Sequence, residues 1–235
     1  MDWLMNNWLL RKLFLVRKIW LSKTWFHHYS QYGEDVPTWV YLAPIKNGFF
    51  VDVGCFHPKK YSNTYRWYKR GWRGVNIDLD PIKIEAFNMA RPGDVNLVCA
   101  ISSEGQGEMR DCYSFGRYSL ISTLSREFAE QQIATGKKCT VHQIPVATLD
   151  FVLDGTRFAG RKIDLLTVDA EGYDLEILQS LSFERYSPGL ILVELHQHTI
   201  EKVMASPLYV FLAGKGYDLV NWVGPTLVFK RRGEN

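Results

Sequence analysis

From residue 45 onward the chain alternates short β-branched runs with helix-like stretches, and no repeat or low-complexity tract interrupts the rhythm. That is the pattern of a doubly wound, mostly parallel α/β sheet, because parallel neighbours need a crossover connection and a helix is the usual one. The spacing predicts strands near Phe49–Val53, Val75–Leu79, Asn96–Ile101, Ile163–Val168 and Leu190–Leu195, with a closing pair near Tyr217–Asn221 and Thr226–Phe229. Helix signals fall between them: Ser62 opens "SNTYRWYKRG", Gly71 closes it, and Pro81 stands at the first turn of the next helix. At 235 residues and 46% hydrophobic content, one such domain can bury a full core, so residues 29–235 are expected to form it. Residues 103–147 break the rhythm and read as an inserted, partly β segment, long enough for a lid or substrate-facing element. Its Tyr113, Phe115 and Tyr118 suit either a sugar ring or a packed lid.

In open α/β sheets, ligands bind beyond the carboxyl ends of the strands. Those ends carry Asp52, Asp78, Asp169 and Glu194, with Ala100 to Ser102 at the remaining one. Carboxylates there are costly without partners or ligands, although helix N-capping is an ordinary use for any one of them. A dinucleotide site would need G-x-G-x-x-G to bring backbone against a pyrophosphate, but Gly54 is followed by Cys55, Phe56, His57 and Pro58. A second acid, Asp78, ends the next strand, where a carboxylate can accept from both ribose hydroxyls. The ligand implied is a nucleoside without phosphates, whose positive charge tolerates Asp52 nearby. S-adenosylmethionine fits that description.

The stretches "YSQYGED" (29–35), "FVDVGCFHPKKYSNTY" (50–65), "GWRGVNIDLDP" (71–81), "RPGDVNLVCAIS" (91–102) and "IDLLTVDAEGYDLEIL" (163–178) together resemble the FkbM family of S-adenosylmethionine-dependent methyltransferases. The resemblance covers roughly residues 29–196. It implies a seven-stranded, Rossmann-like class I methyltransferase sheet with its last strand antiparallel. It also implies O-methylation, often of a sugar hydroxyl, so a sugar in a glycan or glycolipid is the expected acceptor. Many members carry Glu-Pro where this chain has Asp78-Leu79, which keeps the ribose contact with a shorter arm. Carried over by residue, Gln31, Gly33 and Glu34 would close over the methionine end of the cofactor, and Asp52 and Gly54 would line its turn. Asp78 would take the ribose, Asn63 and Thr64 the carboxylate, and Ala100 and Ile101 would flank the adenine. "SNT" also reads simply as a helix start, and strand-end apolar residues are often core.

A sulfonium is a good methyl donor, whereas an alcohol is a poor nucleophile at neutral pH, so something must orient the hydroxyl and accept its proton. "VDAEG" places Asp169 and Glu171 at one strand end, "VELHQH" places Glu194 and His196 at the next, and His57 follows the first turn. These groups read as a base with orienting partners, with Asp169 or Glu171 preferred over His57 and His196, or as ligands for Mg²⁺ or Mn²⁺. The metal-free reading is favoured slightly. His142 and His198 show no sequence partner and read as surface or packing residues. One rival is a metal-dependent glycosyltransferase using Asp78-Leu79-Asp80 as a D-x-D motif; another is a membrane-recruited binding module without catalysis.

The charge is unevenly placed. Residues 1–28 hold five Lys and Arg against Asp2 alone, a net +4, and the remainder holds twenty-three against twenty-four, a net −1. Within that segment Leu9, Leu13, Val16 and Trp20 recur at helical spacing, so it reads as an amphipathic basic helix. Cations interrupt it too often for a bilayer span, and no cleavage site follows. Trp3, Trp8, Trp20 and Trp25 among the cations suit an anionic membrane surface, and docking on the domain or on a neighbouring subunit suits them equally. The near-neutral body argues against a nucleic-acid partner. Cys55, Cys99, Cys112 and Cys139 form no C-x-x-C pair, which fits reduced thiols in a cytoplasmic protein, with peripheral attachment at the inner face of a membrane left open.

Overall fold

The structure is a computed structural model and describes residues 8–20, 27–116, 122–170 and 172–233. A helix, α1 (Trp8–Trp20), is followed by the short helix α2 (Thr38–Leu42). Strands β1 (Phe49–Val53), β2 (Arg73–Asp78), β3 (Val95–Val98), β8 (Leu165–Val168), β9 (Leu190–Glu194), β10 (Tyr217–Val223) and β11 (Thr226–Arg231) form one seven-stranded sheet in the order β3-β2-β1-β8-β9-β11-β10. The β1–β2, β2–β3, β1–β8 and β8–β9 pairs are parallel, while β11 runs antiparallel to both β9 and β10. This is the Rossmann-like class I methyltransferase arrangement, with β1 and β8 flanking the point where the strand order reverses.

Alternation along β1 divides the core into two layers, because successive side chains leave opposite faces of a strand. Phe49, Val51 and Val53 join a large apolar cluster with Ile77, Leu166, Val168 and Val193. Phe50 faces the other way, into a second cluster with Trp67, Trp72, Leu165 and Leu192. Asp52 shares the Phe50 face.

The crossovers are shorter than their sequences suggest. "SNTYRWYKRG" yields only α3 (Tyr65–Lys69), with the Ser62 hydroxyl accepting from the Tyr65 amide at 3.1 Å. The next helix, α4 (Pro81–Ala90), starts at Pro81 with Asp80 as its N-cap, accepting from the Ile82 amide at 2.8 Å. The single strand expected over Asn96–Ile101 is two. It pairs with β2 as far as Val98, breaks at Cys99, and resumes as β4 (Ala100–Ile101) against a different partner.

That partner belongs to the insert, whose β5 (Met109–Ser114), β6 (Ser122–Thr123) and β7 (Thr140–Ala147) form a four-stranded sheet ordered β4-β7-β5-β6. Helix α5 (Arg126–Ala134) lies between β6 and β7. After β7 come α6 (Leu149–Asp154), then α7 (Asp174–Gln179) and α8 (Phe183–Tyr186) following β8, and α9 (Ile200–Met204) and α10 (Pro207–Gly214) following β9. The four cysteines are free. Among the described residues, no helix is long and apolar enough to cross a membrane.

Candidate active site

A cavity of about 550 Å³ opens at the carboxyl edge of the sheet, within the range of small-molecule sites. Its floor is the turn after β1 and the end of β2: Val53, Gly54, Phe56, Ile77 and Asp78. Ala100 and Ile101 form one side and Asp169 and Tyr173 the other. A narrow cleft adjoins it, lined among others by Glu34, Tyr61, Asn63 and Thr167, and sharing Gln31, Tyr32, Asp169 and Glu194 with the main cavity.

Gly54 explains how the floor and the Asp169 wall come so close. Its φ is +82°, and a Cβ there would fall 1.8 Å from the Asp169 carbonyl oxygen. Only glycine adopts that backbone and clears that carbonyl. The Gly54 and Cys55 amides both donate to the Ile77 carbonyl, which fixes the turn over the end of β2.

Asp78 accepts from the Asp80 amide at 2.8 Å and is paired with Lys83 at 3.3 Å, both side chains being about 5% exposed. Burial raises its carboxyl above the usual range, and Lys83 pulls it back down. Lys83 also lines the cavity and stands 5.2 Å from the centre of the Phe56 ring. Asp80, by contrast, spends its carboxylate on the helix cap, so Asp78-Leu79-Asp80 does not present two acids to one ligand.

Asp52 is the main correction to the sequence reading. It lines neither cavity; alternation sends its side chain to the opposite face, where the Thr64 hydroxyl donates to it at 2.6 Å. Thr64 in turn accepts from Arg91 at 2.9 Å, so it too is committed away from the cavity. The fully buried Arg91 also donates to the Ser62 hydroxyl and the Pro58 carbonyl, each at 2.8 Å, clamping the whole 58–64 loop from beneath. Burial pushes the Asp52 carboxyl up to about 6, against the pull of Thr64 and Arg91.

His57 also stands off both cavities. Its Nδ1 accepts from the Lys59 and Lys60 amides at 3.0 Å each, which leaves the proton of the neutral ring on Nε2 and braces the turn. Burial and the neighbouring Lys60 and Arg91 lower its pKa. Gly33 (φ +94°) shapes the strap before α2 without lining either space, whereas Gln31 lines both and Glu34 lines the cleft. The Glu34 carboxylate accepts from the Tyr32 amide at 2.7 Å. The strap is moored by buried Asp35, which accepts from Ser30 at 2.7 Å and from Arg66 at 2.8 Å. Asn63 reaches Thr167 at 3.2 Å.

Asp169 borders both the cavity and the cleft. The loop behind it is held by Asp174, whose two oxygens accept from the Ala170 and Gly172 amides at 3.2 and 3.1 Å. Burial pushes the Asp174 carboxyl up to about 6 as well. Glu171 lies outside the described residues. Glu194 and His196 line the cavity together, with His196 Nε2 at 3.6 Å from the Glu194 carboxylate. From the insert, Ser122, Thr123 and Leu124 reach the cavity rather than Tyr113 or Phe115, and Tyr118 lies outside the described residues. His198, read from sequence as surface or packing, is a lining residue, and His142 stands 3.3 Å from the Leu79 carbonyl.

The model of the FkbM methyltransferase domain matches residues 52–219. The chain belongs to the FkbM methyltransferase family. The match starts later and ends later than the sequence resemblance, leaving the strap at 29–35 outside it. A TehB-like SAM-dependent methyltransferase from Corynebacterium glutamicum aligns over 96% of this chain and 100% of its own, with 13% identity and a TM-score of 0.42. No curated protein matches the chain.

Membership implies S-adenosylmethionine as the methyl donor, and the residues fit it. The turn at Gly54 approaches Asp169 more closely than any side chain would permit, and the adjoining floor offers one buried acid beside an aromatic ring. Lys83, Tyr32 and Phe56 are site residues that the sequence reading missed. Lys83 left a signal: it is the third residue of α4, where a cation opposes the helix dipole unless an acid answers it.

Proposed function

We infer that this methyltransferase transfers the methyl group to a hydroxyl oxygen of a sugar, in a glycan or glycolipid. The observation that carries the reading is the polarity of the outer cavity wall. Gln31, Glu194, His196, Gln197 and His198 converge there beside the Tyr32 ring, a set of hydrogen-bonding groups around an aromatic face that matches a sugar ring. When bound, S-adenosylmethionine supplies an electrophilic methyl group. Asp78 would accept from its ribose hydroxyls, Phe56, Ala100 and Ile101 would frame the adenine, and Gln31 and Asn63 would meet the methionine end.

Asp169 is the group we assign to take the hydroxyl proton, because it borders both the cavity and the cleft beside the Gly54 turn. Glu194 with His196 is the neighbouring pair, able to orient the same hydroxyl. Holding the acceptor oxygen and its base in one enclosed space converts proton removal and attack into a single positioned event. The test is incubation of the purified protein with labelled S-adenosylmethionine and a panel of glycans and glycolipids, followed by mass spectrometry. A product heavier by one methyl group on a sugar oxygen supports the reading. Label appearing only on nitrogen-bearing or small non-sugar acceptors would overturn it.

A further inference from the structure

The first 73 residues hold twelve Lys and Arg against four Asp and Glu, a net +8, and the remaining residues hold sixteen against twenty-one, a net −5. The positive third is thus concentrated in α1 and in the stretch around α3, where residues 57–73 contain no acid at all. In that stretch Lys59, Lys60, Lys69 and Arg70 are exposed, whereas Arg66 is neutralised by Asp35.

Apolar groups are interleaved with these cations. Arg70 lies 4.5 Å from the Trp39 ring centre, and Trp39 is 44% and its neighbour Val40 74% exposed. Lys60 lies 4.5 Å from the Tyr61 ring, itself exposed. On α1, Trp8, Leu13 and Val16 are each more than half exposed, with Lys12 and Arg17 exposed between them.

The chain joins the two surfaces. Arg66 donates to the His27 carbonyl at 2.5 Å, and Lys69 donates to the Tyr29 hydroxyl at 2.9 Å, so the segment leading from α1 enters the body on the cationic face. Seven residue steps separate Trp20 from His27, and an extended chain of that length reaches about 25 Å at most. The end of α1 is therefore tethered near that face.

We propose that α1 and the face carrying Trp39, Val40, Lys59, Lys60, Lys69 and Arg70 form one docking surface for an anionic lipid bilayer. Aromatic and aliphatic side chains among cations are the composition that seats a helix in the headgroup region, where each cation near an anionic surface strengthens binding about fivefold. A nucleic acid would use the cations but has no place for Leu13, Val16 and Val40, and a second copy of this chain would bring the same positive charge against itself.

The experiment is vesicle sedimentation of the full chain with phosphatidylcholine alone and with phosphatidylcholine containing phosphatidylglycerol. Wild type is expected to sediment with the anionic vesicles and to stay in solution with the neutral ones. Leu13→Glu with Val16→Glu should abolish sedimentation, and Lys59→Glu with Lys60→Glu should weaken it at least tenfold. Circular dichroism checks that each variant remains folded, as substitutions at exposed positions should be. Equal partitioning of wild type and the helix variant overturns the proposal. So does a helix-dependent dimer in analytical ultracentrifugation without vesicle binding, or retention on heparin that the helix variant keeps while neither protein binds vesicles.

Discussion

The Lys83 ammonium stands 3.3 Å from both carboxylate oxygens of Asp78 at the floor of the cavity, and neither side chain is more than 5% exposed. The Asp80 amide donates to the same carboxylate at 2.8 Å. Lys83 therefore opposes the burial that raises the Asp78 carboxyl. The Asp80 carboxylate adds to burial in raising the Asp78 carboxyl, and the Asp80 amide adds to Lys83 in lowering it.

Replacing Lys83 with Met should weaken binding of S-adenosylhomocysteine about tenfold at pH 8, the loss of a charged hydrogen-bond partner. Without the ammonium the Asp78 pKa rises further, so affinity of the variant should fall again as pH drops from 8 to 6 while that of wild type changes little. Lys83→Arg should restore most of it. Calorimetry across that range reads the outcome, and identical profiles for Met and Lys would reduce Lys83 to a packing residue.

Asp78→Ala should cost S-adenosylhomocysteine roughly 1.5–3 kcal/mol of binding, since charge-assisted hydrogen bonds contribute about that much. NAD should not bind to either protein, because the turn after β1 has a single glycine and no cradle for a pyrophosphate. Tight NAD or UDP-sugar binding with no S-adenosylmethionine binding would sink the cofactor assignment.

Asp169→Asn should lower kcat by about 10²- to 10⁴-fold, the usual effect of losing a general base, with cofactor affinity little changed. Glu171→Gln, one residue beyond Ala170, is the companion variant. If both turn over at the wild-type rate, Glu194 and His196 become the groups to replace. Loss of activity with chelator and recovery with Mg²⁺ or Mn²⁺ would reassign the carboxylates as metal ligands.

Asp52 offers a different readout. Its folded-state pKa is raised from 3.8 to about 6 by burial, so the folded protein holds this proton more tightly than the unfolded chain does. That contribution to stability is fully present below about pH 4 and is lost as pH rises through about 6. Asp52→Asn keeps an acceptor for the Thr64 hydroxyl and removes the titration. The stability of the variant relative to wild type should therefore grow between pH 4 and pH 7, by on the order of 2–3 kcal/mol. Urea unfolding at several pH values measures it. Because Asp52 does not line the cavity, cofactor affinity should change much less than in Asp78→Ala.

The parallel strands, the closing β10–β11 pair and the Pro81 helix start were legible because each depends on local pattern or on backbone restriction, whereas the antiparallel direction of β11 followed from the family resemblance. Asp78 and Gly54 were legible for the same reason, standing where a run ends. Asp52 was misread because β1 is apolar on both faces, so its sequence gives no sign of which face adjoins the cavity. Thr64 and His57 line neither cavity: a buried arginine twenty-seven residues on donates to Thr64, and the amides two and three residues ahead donate to His57 through a turn that residue types alone do not announce. Tyr32 gave no signal at all. Its ring lies against Gly224 in the β10–β11 turn, where a Cβ would come within 2.9 Å of it, and that meeting exists only once the sheet has formed.

The Arg91 clamp separates what can drift from what cannot. Its guanidinium ties the 58–64 loop to the core, while the outer wall is built from the strap at 29–35, which meets that loop where the Ser62 amide donates to the Tyr29 carbonyl, and from the β6 segment of the insert and the β10–β11 turn. Substitution in the β6 segment or the β10–β11 turn can re-shape the outer wall without touching the clamp, whereas a change at Arg91 strikes the 58–64 loop and the buried layer beneath β1 at once. The rim of the cavity is thus evolutionarily cheap to alter, and the loop that carries Asn63 is held fixed by the same arginine that fills the buried layer beneath it.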